Sequence, residues 1–146
     1  MLGGSPLGLG IYKMYNYTEF IESRRFNDVL SGFEIPEIAM TRDLFPHQKY
    51  IVKWALRKGR AAVFADTGLG KSRIMSEWGR CVAGNTGGRV LFISPLAVAH
   101  QTVIEASNVG VVLKYCKHDD GSRFVITNYE RLHNFDLRGF SGVVLD

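Results

Sequence analysis

Ala62-Val63-Phe64-Ala65-Asp66-Thr67-Gly68-Leu69-Gly70-Lys71-Ser72 is an apolar run that breaks into a glycine-rich turn and closes on Lys-Ser. Ala61 to Ala65 reads as a buried strand, and Ile74, Met75, Trp78 and Val82 after Gly70 recur at helical spacing. Strand, turn and helix therefore follow in the order of a phosphate-binding loop. There, backbone N–H groups converge on the anion and the helix dipole favours its charge. Thr67, Gly68, Leu69 and Gly70 form the cradle, with the two glycines allowing its curvature. Lys71 would reach the β- and γ-phosphates, and the Ser72 hydroxyl would ligate Mg²⁺. The pattern G-x-x-x-x-G-K-[ST] holds except at its first position, where Ala65 stands for Gly. A plain strand-to-helix turn would explain the glycines but not the Lys-Ser that follows them.

The 146 residues bound the fold to a single domain, and 46% hydrophobic with 22% charged residues describes a folded chain. No apolar run is long enough to cross a bilayer. A net charge of +4 suits a polyanionic partner without requiring one. Cys81 and Cys116 lack metal or disulfide spacing, and the four histidines show no ligand pattern, so reduced thiols in a cytoplasm are the expectation.

Residues 1–13 read as a flexible leader, and 14–40 as an N-terminal helix plus a connecting segment. Asn16 and Glu19 make a capping box, with Phe20, Ile21, Phe26, Val29 and Leu30 docking that helix. From Leu44 to Lys58 a second helix is expected, with Pro46 in its first turn and Ile51, Trp54 and Ala55 on one face. Phe45 and Gln48 sit at its start, and a carboxamide there both donates to and accepts from an adenine edge. Taken alone, each would be an ordinary core or surface residue. After the loop helix, Gly84 to Gly88 read as a turn and Val90 to Ile93 as a buried parallel strand. Ala97 to Ala106 is an expected helix, while Val111 to Leu113, Phe124 to Ile126 and Gly142 to Leu145 are expected strands. Alternating strands and helices predict an α/β fold with a mostly parallel sheet.

With these residues in place, the chain resembles the first RecA-like domain of superfamily 2 helicases and translocases, nearest to DEAD-like and Swi/Snf-type members, phage-encoded ones among them. The likeness runs from about Leu44 to Asp146, within an expected partial RecA-like ATP-binding domain at residues 41–146. Phe45-Pro46-His47-Gln48 looks like the Q motif, which contacts adenine, and Asp66 to Ser72 looks like motif I. Ser94-Pro95, with Gln101 further on, is similar to motif Ia. Thr127-Asn128-Tyr129 is similar to motif Ib, and in the family both contact the nucleic-acid backbone. Val143 to Asp146 resembles the start of motif II.

The resemblance implies a three-layer P-loop NTPase fold and ATP with Mg²⁺ as cofactors. Lys71 and Asp146 would be catalytic, with Ser72 and Asp146 on the metal. A DNA or RNA backbone would be the partner. It also implies missing parts: the glutamate after the motif II aspartate, the motif III strand, and a second RecA-like domain with its arginine finger, worth about 10³ to 10⁵ in rate. The sheet is accordingly expected to be incomplete between the loop strand and the motif II strand, leaving a gap or closing up. Two function classes stay open: an ATP-dependent nucleic-acid motor, and a P-loop ATP-binding module that acts by interaction. A P-loop kinase or GTPase fits the Gln48 and Thr127-Asn128-Tyr129 positions less well.

Overall fold

The computed structural model describes residues 22, 30–41 and 43–146. The expected leader and the Asn16-capped helix lie outside these residues. Three α-helices and four strands carry the described part: α1 (Pro46–Lys58), α2 (Lys71–Thr86), β1 (Val90–Ile93), α3 (Leu96–Ser107), β2 (Lys114–Tyr115), β3 (Phe124–Thr127) and β4 (Gly142–Leu145). Short 3₁₀ turns span Glu37–Ala39, Tyr129–Asn134 and Leu137–Gly139. The sheet is wholly parallel, in the order β2-β3-β1-β4, with Leu91 opposite Val125 on one side and Val143 on the other.

Strand β1 is buried throughout, as its unbroken apolar run requires for a central parallel strand covered on both faces. From it the chain moves outward by way of α3 to β2, whereas the crossover from β3 to β4 moves the opposite way. Right-handed crossovers in opposite directions fall on opposite faces. On one face Val90, Phe92, Ile126 and Val144 pack with residues of all three helices, including Val52, Leu56, Ile74, Val82 and Ala99. On the other, Leu91, Ile93 and Val125 are covered by Phe135, Leu132 and Phe140 of the 3₁₀ region. That second layer is built from short turns rather than helices.

Helix α1 begins at Pro46 and ends at Gly59, whose φ of 76° no L-residue adopts easily. Its last carbonyls, on Leu56, Arg57 and Lys58, accept from the amides of Phe33, Gly32 and Ser31. The buried face is Gln48, Val52, Ala55 and Leu56, so of the apolar face expected at Ile51, Trp54 and Ala55 only Ala55 is fully buried, and Trp54 stays 38% exposed. Helix α2 runs through the expected turn at Gly84 and stops at Gly87 (φ 69°). Since residues 87–89 alone separate it from β1, it lies antiparallel to that strand. Its N-terminus thus faces the C-terminal ends of the strands.

Two strand expectations are corrected. Residues 61–65 join no sheet ladder, and Phe64 is 97% exposed. An apolar run becomes a strand only where neighbouring backbone is present to pair with it, and β4 has no second neighbour among the described residues. Among the described residues β4 is thus an edge strand, and with no strand at 61–65 on its far side neither the gapped nor the closed arrangement of the loop strand arises. The third strand forms at Lys114–Tyr115 rather than Val111 to Leu113. Val111 and Leu113 are buried ahead of the ladder and Val112 is exposed.

Candidate functional site

The glycine-rich turn opens directly into α2. Gly68 (φ 82°) and Gly70 (φ 75°) both adopt the left-handed conformation, and Gly70 is the N-cap. No side chain caps the helix, so its first N–H groups, which have no intrahelical acceptor, are left for an anion. A β-carbon built on Gly68 meets nothing within 4 Å, leaving open space at the crown of the loop. Among the described residues no non-glycine residue has positive φ, so Ala65 replaces the customary first glycine without strain. Asp66 turns its carboxylate back to accept from the Thr67 amide at 2.7 Å. Lys71 folds over the loop, and its Nζ donates to the carbonyls of Ala65 at 3.0 Å and Asp66 at 3.2 Å.

Gln48 reaches this loop from α1. It is only 2% exposed; its Oε1 accepts from the Phe45 amide at 3.1 Å and its Nε2 donates to the Leu69 carbonyl at 3.2 Å. The expected base contact is thus also a strut between helix and loop, and a carboxamide has more donors and lone pairs than these two bonds use. Phe45, 59% exposed, stacks on the His47 ring at 5.9 Å and offers a flat apolar surface beside it. A cleft of about 350 Å³ lies behind the loop, walled by Tyr50, Ile51, Trp54, Phe64 and Leu69.

Ser72 faces α3. Its hydroxyl and, more strongly, the Gln101 amide hold the Glu105 carboxyl below its usual range, with the Arg73 cation adding to the effect. Gln101 Nε2 donates to Glu105 Oε1 at 2.9 Å. Asp146 stands exposed just past the end of β4. Its amide donates to the Ile93 carbonyl at 2.9 Å, and its carbonyl accepts from the Tyr129 hydroxyl at 2.6 Å.

The residues expected on a nucleic-acid track gather at the C-terminal ends of β1 and β3, where open α/β sheets place ligands. They differ in access. Pro95, Gln101 and Tyr129 are exposed, whereas Ser94, Thr127 and Asn128 are buried. Thr127 Oγ1 donates to the Cys116 carbonyl at 2.9 Å. Asn128 accepts from the Tyr115 hydroxyl at 3.2 Å and donates to Glu130. These two side chains brace the β2–β3 edge.

Sequence reasoning passed over Glu77 and Arg80. Glu77 is fully buried in α2, where burial pushes its carboxyl up. Hydrogen bonds from Arg80 and from Thr41 outweigh this and hold it below the ordinary value. Beside it, burial and the Glu77 charge push the Cys81 thiol up to about 12, leaving it protonated and unreactive. Positions 74, 77 and 81 share a helix face, so the apolar spacing of Ile74 and Cys81 was a signal that Glu77 is interior.

No protein-family model matches the chain, and no curated protein or solved structure does either. Among the described residues no helix is long and apolar enough to cross a membrane, and no His, Cys, Asp and Glu cluster forms a ready metal site.

Proposed function

We propose that this chain is the ATP-binding part of a nucleic-acid-dependent ATPase of the helicase or translocase kind, with the RecA-like P-loop fold. The observation that carries the reading is the loop itself: two left-handed glycines, an uncapped helix start, and Lys71 resting on the Ala65 and Asp66 carbonyls. A polyphosphate would displace that lysine contact and take its ammonium and the α2 amides. ATP with Mg²⁺ fits the donor set, since Ser72 and Asp146 offer the hard oxygen ligands that Mg²⁺ prefers. When bound, the metal would neutralise charge on the phosphates. Lys71 holds and orients the phosphates, Gln48 and Phe45 address the base, and the α2 dipole favours the anion.

Pro95, Gln101 and Tyr129 would meet a DNA or RNA backbone at the exposed strand ends, with a second RecA-like domain completing the track and the catalytic centre. A cytoplasmic setting goes with this reading. The buried, inward-bonded Thr127 and Asn128 favour the second reading, an ATP-binding module that acts by interaction rather than movement.

Calorimetry with MgADP and MgATP tests the loop. Binding by wild type and its loss in Lys71→Ala are expected. Equal affinity in both would refute the assignment. Single-stranded nucleic acid binding that falls steeply with salt and drops in a Gln101→Ala, Tyr129→Ala double variant separates the motor from the module.

A further inference from the structure

The segment leading into α1 is pinned to α2 by a carboxylate with no access to water. Both oxygens of the fully buried Glu77 are engaged: Oε1 accepts from the Thr41 amide at 2.9 Å and Oε2 from the Thr41 hydroxyl at 2.8 Å. Arg80 brackets the same carboxylate at 2.6 and 3.0 Å and also donates to the Ala39 carbonyl at 2.6 Å. Burying a charge is costly unless such partners meet it, and a well-packed apolar side chain would serve cohesion equally well. Core packing alone therefore does not call for a carboxylate at this buried position. What a two-pronged grip on one residue adds is register.

That register is transmitted a short way. Leu44 donates to the Thr41 carbonyl and is itself buried; Phe45 follows, and its amide is held by Gln48, which reaches the Leu69 carbonyl. Helix α2 thus carries the phosphate loop on its first turn and, through Glu77, holds the strap that delivers Phe45 and Gln48 to that loop. We propose that Glu77, acting through Thr41, is a positioning residue for base recognition: it sets where the Phe45 ring and the Gln48 amide stand over the loop, and so the choice between adenine and guanine. This rests on the ATP-binding reading above. The phosphate contacts of Lys71 and the α2 amides do not pass through Thr41, so base and phosphate recognition separate.

The test is calorimetry on the full chain with MgADP, MgGDP and magnesium pyrophosphate. Thr41→Val removes the hydroxyl bond while keeping side-chain shape and the backbone bond; Glu77→Gln keeps shape and removes charge. The ADP-over-GDP preference should fall about tenfold in either variant, the size of one hydrogen bond to a charged partner. Pyrophosphate affinity should stay within about twofold, because its donors are untouched. Thr41→Ser should restore the preference. Should Glu77→Gln fail to fold, Thr41→Val and its serine rescue decide the matter. A preference that survives Thr41→Val, or a parallel loss of all three ligands in the variants, overturns the inference, while MgADP binding by the wild type still supports the ATP-binding reading. A wild type that binds pyrophosphate and both nucleotides without preference overturns it too, by removing the base contact itself.

Discussion

Replacing Gly70 with alanine should destabilise the chain through two separable effects. At φ 75° an L-residue is strained, at about 1–2 kcal/mol. The new methyl would also land on the Gln48 side-chain nitrogen. That nitrogen is the end of a flexible side chain, so it swings away, and the added cost is its bond to the Leu69 carbonyl, about 1 kcal/mol. The total is about 2–3 kcal/mol, a large share of the roughly 5–15 kcal/mol that holds a domain folded. Gly68→Ala supplies the control, because its φ of 82° carries the same strain while its methyl would meet nothing within 4 Å. Urea unfolding, compared through midpoints at constant slope, should place Gly70→Ala about 1 kcal/mol below Gly68→Ala. In a Gln48→Ala background the two substitutions should cost the same. If they cost the same with Gln48 present, the strut between α1 and the loop does not exist as described.

Glu77 has a depressed carboxyl, so its contribution to stability is present above the ordinary value of 4.5 and is lost as pH falls through the lower folded value. Glu77→Gln should flatten the acid limb of a stability-versus-pH curve, and an unchanged limb would show that other carboxylates set it. Thr127→Val should cost about 1 kcal/mol in urea unfolding, from the lost bond to the Cys116 carbonyl, with nucleic-acid binding unchanged. Loss of that binding at full stability would instead give Thr127 a direct contact.

The helices and the central strand were legible because their signals are local. Four consecutive apolar residues at Val90 to Ile93 cannot be solvated, and Pro46 and Gly59 mark where α1 starts and stops. Residues 61–65 carry an equally apolar signal, yet apolarity states a preference for burial and says nothing about whether a neighbouring edge is there to pair. The same distinction separates Val111 and Leu113, which are buried, from Lys114 and Tyr115, which hold the ladder. At the site, the loop glycines and Lys71 were readable from spacing. The burial of Thr127 and Asn128 was not, because the Tyr115 hydroxyl and Cys116 carbonyl that hold them lie in and just past a strand displaced from its expected position.

The order β2-β3-β1-β4 places the first of the described strands to be made in the interior of the sheet, with both neighbours arriving much later in the sequence. Leu91 must wait for Val125 on one side and Val143 on the other. During synthesis, α2 and α3 can coil and cluster long before the sheet they cover exists, so Phe92 and Ile93 pass through a stage in which they are collapsed but unladdered. Closing such long loops is entropically slow and leaves apolar surface exposed meanwhile. A nascent chain halted before Gly142 would present an unfilled flank on β1, and chaperone engagement should peak there and fall once β4 has emerged.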